Sequence, residues 1–358
     1  MSEFRVIDTG LREGRANIAF DAALIEAHKA GDIPDTIRFI HFPPTALVGR
    51  HQALGREIKL DHCRRHDIGL ARRVTGGGAI YMDGGQLGWE LVFHRATLGV
   101  NGLGALAEAI CEAVADGLSG LGVAAKFRPR SDVEVEGRKI CGAGGFFDGD
   151  TLIYQGTILV DTDIGNMTAA LNVARENPAG DGADEPGAAA RRMVTLAELL
   201  GDGLPAEAAI QDALLAGFAR RLGIAPKPGE ITGAEEALAE RFYDDEIGTD
   251  AFVAEIDDPD SDDAMVSATH SSPGGTLRAY VRLDGAARDR VREVLITGDF
   301  FVAPPRAVFD LEASLRGVGI GEMGDAVEHF FADYQLGLCT VAAADFRAVL
   351  EAAAAGAG

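Results

Sequence analysis

Along this chain the apolar residues switch between a spacing of two and a spacing of three or four, and each switch marks an element. Ile18 to Ala30 reads as a helix, and "TIRFIHFPPTALVGR" gives two short apolar runs broken by Pro43-Pro44, hence strand, turn and strand. Leu87, Trp89, Leu91 and Phe93 alternate, which predicts a half-buried strand. Leu103, Leu106, Ile110, Val114, Leu118 and Leu121 then recur at helical spacing and predict a long amphipathic helix. Two hairpin patterns follow: "SDVEVEGRKICGAG" turns around Glu136-Gly137, and "GFFDGDTLIYQGTILVD" turns at Asp148-Gly149. The next stretch, "ARENPAGDGADEPGAAARR", has almost no apolar content and is expected to be an exposed, lid-like loop.

Glu207 to Leu222 is a further periodic helix, ended by "APKPGEITG". The acidic, small-residue run "AEIDDPDSDDAMVSATHSSPGG" reads as a linker. Beyond it Leu277, Ala279, Val281 and Leu283 share one strand face, a second strand runs to Phe300-Phe301, and helices are expected at Ala307 to Arg316, at Gly324 to Tyr334 and in the Ala-rich end. This order predicts an α+β protein with mixed sheets flanked by helices over residues 1–245, and a small α+β unit over residues 246–358.

Charge and cysteine usage narrow the classes of function. The 358 residues carry a formal charge of −23, which excludes a broad nucleic-acid surface, because neutralising phosphates requires clustered Lys and Arg. An anionic small ligand remains compatible if it meets a local positive site, and Arg72-Arg73 is the candidate. Cys63, Cys111, Cys141 and Cys339 form no C-x-x-C pair, so neither a zinc site nor a disulfide framework is indicated and a reducing, cytoplasmic home is expected. No apolar run reaches the length of a membrane span, and the N-terminus lacks the pattern of a secretory signal.

Candidate chemistry gathers at two places. In "LARRVTGGGAIYMD", Gly76, Gly77 and Gly78 remove three successive side chains, as a backbone cradle for phosphate requires, and two guanidinium groups stand beside them. The stretch lacks the Lys-Ser/Thr of a P-loop and lies between strands, so a plain turn is the competing reading. Lys139, one of only five lysines, sits in the strand pattern "GRKICGAGG". An edge charge is the plainer account of a strand lysine, but the small residues Gly142 to Gly145 clear space beside it.

"LARRVTGGGAIYMD", "SDVEVEGRKICGAG" and "YQGTILVD", in this order and spacing, resemble the signature segments of A-type lipoate-protein ligases of the biotin/lipoate ligase superfamily. "ANIAFDAALIE", "ALVGRHQ" and "ARRMVTLAELL" extend the likeness over roughly the first two hundred residues, and "LITGDFFVAPPRAVFDLEASLRGV" is similar to the accessory C-terminal domain of such ligases. The resemblance implies a two-step reaction. ATP and lipoate give lipoyl-adenylate, which then acylates a lysine of a lipoyl-domain acceptor protein. It places Arg73, Gly76, Gly77, Gly78, Ala79, Ile80 and Tyr81 on the nucleotide, with Lys139 between the lipoyl carbonyl and the α-phosphate. Asp132 would help hold Mg²⁺, and Arg72, Gly142 and Gln155 would join Lys139 in lining the lipoate site.

Two positions depart from the family pattern: Met82 and Gln155 stand where histidines are usual, and Gln155 cannot carry a proton. Two other readings therefore stay open. One is an octanoyl- or lipoyltransferase that works through a cysteine thioester without ATP; the other is a non-catalytic lipoate-binding assembly protein. The stretch where one transferase type keeps its nucleophile reads "AAKFRPR" here, and Cys63 and Cys111 fall at helical core positions.

Overall fold

The computed structural model describes residues 1–100, 102–129, 131–172, 187–260, 265–285 and 288–356. The lid-like loop expected at 174–192 lies, up to residue 186, outside these. Two compact units divide the chain. One comprises Met1–Leu47, Ile58–Ala71 and Ile80–Phe252; the other comprises Val48–Glu57, Arg72–Ala79 and Val253–Gly358. The fold is α+β, as the sequence predicts. No helix among the described residues is long and apolar enough to cross a membrane.

The first unit is built on an eight-stranded sheet. Its strands are β1 (Ser2–Leu11), β2 (Thr36–His41), β6 (Gln86–His94), β7 (Ala125–Arg128), β8 (Asp132–Val135), β9 (Arg138–Asp148), β10 (Thr151–Leu159) and β11 (Ile224–Pro228), ordered β11-β1-β2-β6-β10-β9-β8-β7. The pairs from β11 to β2 are parallel and the rest antiparallel. A smaller sheet pairs β3 (Thr45–Val48) with β4 (Gly69–Arg72) and β5 (Ile80–Met82). Both hairpins form. Glu136 and Gly137 take positive φ between β8 and β9, whereas the second turn consists of Gly149-Asp150, one residue later than the sequence pattern suggests, because Asp148 still pairs with Thr151.

Leu87, Trp89, Leu91 and Phe93 of β6 point into the main core beside Leu106, Ile110 and Val114 of the helix Leu103–Ser119 and Leu214 and Phe218 of the helix Glu207–Leu222. The expectation of a half-buried strand is corrected: Gly88, Glu90 and Val92 are buried as well, since the helix Gly14–Ala30 covers the opposite face. On that face burial is polar. Arg38, fully enclosed, donates to Asp21 Oδ1 at 2.6 Å, Glu90 Oε1 at 3.0 Å, Asn17 Oδ1 at 2.7 Å and Thr9 Oγ1 at 3.0 Å. Two carboxylates thus share one guanidinium, and burial pushes the Glu90 carboxyl above its ordinary pKa.

The second unit carries an antiparallel sheet of β12 (Met265–Ser272), β13 (Gly275–Asp284) and β14 (Arg290–Gly298). The helices Arg306–Ser314, Met323–Asp333 and Ala343–Ala355 complete it. Leu277, Ala279, Val281, Phe300, Leu311, Phe346 and Leu350 fill its core. The linker expected over residues 254–275 is corrected in its second half. There β12 pairs with β13 from Met265↔Arg282 to Ser272↔Gly275, around a Pro273-Gly274 turn. Its small polar side chains stay partly exposed, so ladder hydrogen bonds, more than apolar burial, hold this edge strand.

Replacing Arg38 by Leu leaves Asp21 and Glu90 enclosed without their cation and is expected to cost about 3–5 kcal/mol, the range for breaking one side of a buried ion pair. Urea unfolding reads this directly. A loss below about 1 kcal/mol, the size of an exposed pair, would mean that water reaches the cluster.

Candidate active site

A β-bulge builds the surroundings of Lys139 in the first unit. Strands β8 and β9 pair Val135 with Arg138 and Glu134 with Lys139; the register then shifts by one, so that Val133 faces Cys141 and Asp132 faces Gly142. Ile140 is the extra residue, and it points into the core together with its neighbour Cys141, both fully buried. An even alternation would put Lys139 and Gly142 on opposite faces of the sheet. The bulge puts them on one face, with Asp132 across from Gly142 on the neighbouring strand. Lys139 Nζ lies 2.8 Å from Asp132 Oδ1, and the lysine side chain is 41% exposed.

Lys139 is not an edge lysine. Beyond the end of β10, its N–H donates to the Arg192 carbonyl at 2.7 Å and its carbonyl accepts from Val194 N–H at 3.0 Å, so both sides of β9 are paired there. The register carries the same face across β10. Thr157 lies opposite Gly142, and Gln155 lies opposite Gly144 on one side and Glu90 on the other. Lys139, Asp132, Gly142 and Gln155, singled out in the sequence, therefore share one face of the sheet, with glycine at 142 and 144 leaving it open.

The glycine segment belongs to the second unit. Arg72 is fully buried, and its guanidinium donates to the backbone carbonyls of Gln52 at 2.7 Å and of Val253 and Ile256 at 2.9 Å. Burial, aided by nearby Arg50, lowers its pKa to about 10. Arg72 is expected from the sequence to line lipoate; here its side chain ties together chain segments 49–52 and 253–256, which the sequence gives no means of pairing. Arg73 closes on its own loop, donating to the carbonyls of Gly76 at 3.0 Å and Gly78 at 2.8 Å and to Thr75 Oγ1 at 3.2 Å. Gly76 is required by packing, because a Cβ there would collide with the Phe300 carbonyl, which also accepts from Gly77 N–H at 3.3 Å. Ile80 and Tyr81 lie in β5 of the first unit, past Ala79. The Tyr81 hydroxyl accepts from Asn166 Nδ2 at 3.1 Å, its ring is buried, and Met82 packs in the core as a buried side chain.

His51, which the sequence reading passed over, lies in the second unit under Phe300 and Phe309, stacked on the former at a ring separation of 5.2 Å. Neither ring nitrogen has a partner in this buried place. None of the four thiols is set up as a nucleophile. Burial raises the pKa of Cys63 and Cys141, and raises Cys111 and Cys339 to about 11. A reactive thiol needs the opposite shift.

Residues 13–219 match the lipoyl protein ligase A/B catalytic domain. The chain belongs to that family. It is 31% identical over 274 residues to octanoyltransferase LipM of Symbiobacterium thermophilum, a match that spans 70% of this chain and 97% of the relative, and other relatives carry the same transferase name. Among solved structures, lipoate-protein ligase A bound with ATP is 25% identical with a TM-score of 0.61, covering 70% of this chain and 98% of that one. The bipartite lipoate protein ligase of Thermoplasma acidophilum, solved in a study that includes its E2 lipoyl domain, has the same identity and TM-score and covers 73% and 100%.

Asp132 is the carboxylate expected from the sequence to help hold Mg²⁺. No group of three His, Cys, Asp or Glu side chains converges there among the described residues. One carboxylate fits Mg²⁺ that is held chiefly by substrate phosphates and water, and does not fit an all-protein cage.

The His51 arrangement predicts a pH dependence. Burial and the charges of Arg50 and Arg72 lower its pKa from 6.5 to about 3. The unfolded chain takes up a proton that the folded chain refuses, so stability falls as pH drops from about 6.5 toward 3. His51→Phe keeps the stacking, removes both unpartnered nitrogens and is expected to add about 1–3 kcal/mol at neutral pH. Its advantage over wild type should widen below pH 6.5 in urea titrations; a constant gap would show that His51 is not the group responsible.

Proposed function

We propose that this chain is an ATP-dependent lipoate-protein ligase. The observation that supports it is the pairing of an accessible lysine, Lys139 beside Asp132, with four thiols that burial holds protonated. In the first step a lipoate carboxylate oxygen attacks the α-phosphorus of ATP, the P–O bond to the β-phosphate breaks and pyrophosphate leaves. In the second, the neutral amine of an acceptor lysine attacks the lipoyl carbonyl, the C–O bond to AMP breaks, and the amine gives up its proton. The Lys139 ammonium offsets negative charge that develops on the carbonyl oxygen and on the α-phosphate. Asp132 orients that ammonium and would hold Mg²⁺, which supplies charge neutralisation on the phosphates when bound.

The glycine segment 76–79, braced by Arg73, is the proposed seat of the nucleotide, and residues 246–358 the accessory domain that serves activation. Gln155 lines the proposed lipoate site. The acceptor is a lipoyl domain, the kind of protein paired with the Thermoplasma acidophilum ligase. Because this chain is acidic, a local complementary patch, not long-range attraction, would select an acidic acceptor. A reaction that consumes ATP is consistent with the cytoplasmic location expected from the cysteine usage.

The octanoyltransferase name of several relatives favours a second reading, acyl transfer without ATP. That chemistry runs through a thiolate. It would require one of the four buried or shielded cysteines to be unmasked.

Purified protein with lipoate and a lipoyl domain is expected to lipoylate the acceptor only when ATP and Mg²⁺ are added. Cys111→Ser and Cys141→Ser should keep most of that activity. Lys139→Ala should fold and lose roughly 100–1,000-fold in rate, as for removal of an oxyanion donor. Lys139→Arg should recover little, a planar guanidinium being a poor substitute for a compact ammonium. Transfer from an octanoylated carrier protein without ATP, abolished by either serine variant, would establish the transferase instead.

A further inference from the structure

We propose that Gly142 is a positioning residue for Lys139, acting through the empty volume where its β-carbon would stand; the functional part of this rests on Lys139 being the charge that the reaction uses. The resemblance to lipoate ligases places Gly142 only as part of the lipoate site, and the geometry gives it a different task.

A Cβ built on Gly142 would lie 2.7 Å from both Cε and Nζ of Lys139 and 3.8 Å from Asp132 Oδ1. No real side chain tolerates the first two distances. The lysine therefore occupies the space that any other residue at 142 would fill: its side chain runs along β9 past the bulge and sets the ammonium down over Gly142, against the carboxylate of Asp132. Position 142 does not have the positive φ that would itself demand glycine. Nor does neighbouring backbone crowd the missing Cβ, as it does at Gly76. What the missing β-carbon meets is the far end of one flexible side chain and the carboxylate that side chain pairs with.

The consequence separates fold from chemistry. In Gly142→Ala the backbone can stay as it is, and the lysine must lift its ammonium off the strand and away from Asp132. Displacement of a reacting group by about 1 Å is enough to cost on the order of 100-fold in rate. The variant should thus keep its unfolding midpoint close to wild type and lose about 10- to 100-fold in acyl transfer to a lipoyl domain.

Two readouts test this on the full-length protein. The first is the rate at which an amine-reactive acetyl ester labels Lys139, followed by peptide mass spectrometry, which needs no substrate and no assumption about ATP. Gly142→Ala and Asp132→Asn are each expected to speed labelling about two- to fivefold, the equivalent of losing an exposed ion pair. The second is a double-mutant cycle on activity: in the Lys139→Ala background, Gly142→Ala should add no further loss, because its effect passes through the lysine. An unchanged labelling rate in Gly142→Ala overturns the proposal. So does a further tenfold loss in the Lys139→Ala background, which would mean that Gly142 touches the substrate itself. Faster labelling together with full activity of Lys139→Ala would instead overturn the catalytic reading of Lys139 and leave the steric relation standing.

Discussion

The bulge at Ile140 is the constraint on which the arrangement around Lys139 depends. A strand alternates its side chains, and Lys139 and Gly142, three positions apart, belong on opposite faces of a regular one. One additional residue buried in the core reverses the phase between them. Lysine, carboxylate and vacant strand surface then meet on a single face, and the backbone of Lys139 is bonded on both sides so that the side chain projects from a fixed base. The cost of the irregularity is small, since the extra residue is apolar and fully enclosed. The sheet around it is anchored by the large core of β6 and its two covering helices on one side and by the Arg38 cluster on the other.

The same face explains how polar chemistry and burial coexist. Cys141, next to the bulge residue, is turned inward by the phase change and its thiol is held protonated, although it lies only two positions from Lys139. The Cys141 thiol and the half-buried Lys139 side chain thereby lie on opposite faces of the sheet. The family includes proteins named as ligases and as octanoyltransferases, and the arrangement around Lys139 is the one the proposed ligase chemistry would use.

Much of this could be read from the residues and some could not. Helices with strong periodicity, such as Glu207–Leu222, and hairpins with a glycine in the turn were plain, because their signals are local. Lys139 and the glycine segment stood out as candidates by composition, and Asp132 only through the resemblance to the family. The bulge has a visible trace, the consecutive apolar pair Ile140-Cys141 inside an alternating strand, but that pair alone does not distinguish a bulge from a strand end. β12 was missed because its side chains are small and polar, and only its ladder to β13 makes it a strand. The partners of Arg72 were illegible for a different reason. Its acceptors are backbone carbonyls about 20 and 180 positions away, and no side-chain pattern advertises a backbone carbonyl. His51 gave no signal at all, since an isolated histidine in "GRHQ" looks the same whether it is solvated or stacked on one phenylalanine and tilted against another.

The central claim is that the activated acyl group is carried on phosphate and not on sulfur. Isotope exchange between pyrophosphate and ATP tests it without any acceptor protein, because exchange occurs only if an adenylate forms reversibly. The account predicts exchange that requires lipoate and Mg²⁺ and persists when Cys111 and Cys141 are both replaced by serine. No exchange in the wild-type protein, with an acyl group recovered on one of those cysteines, would contradict it.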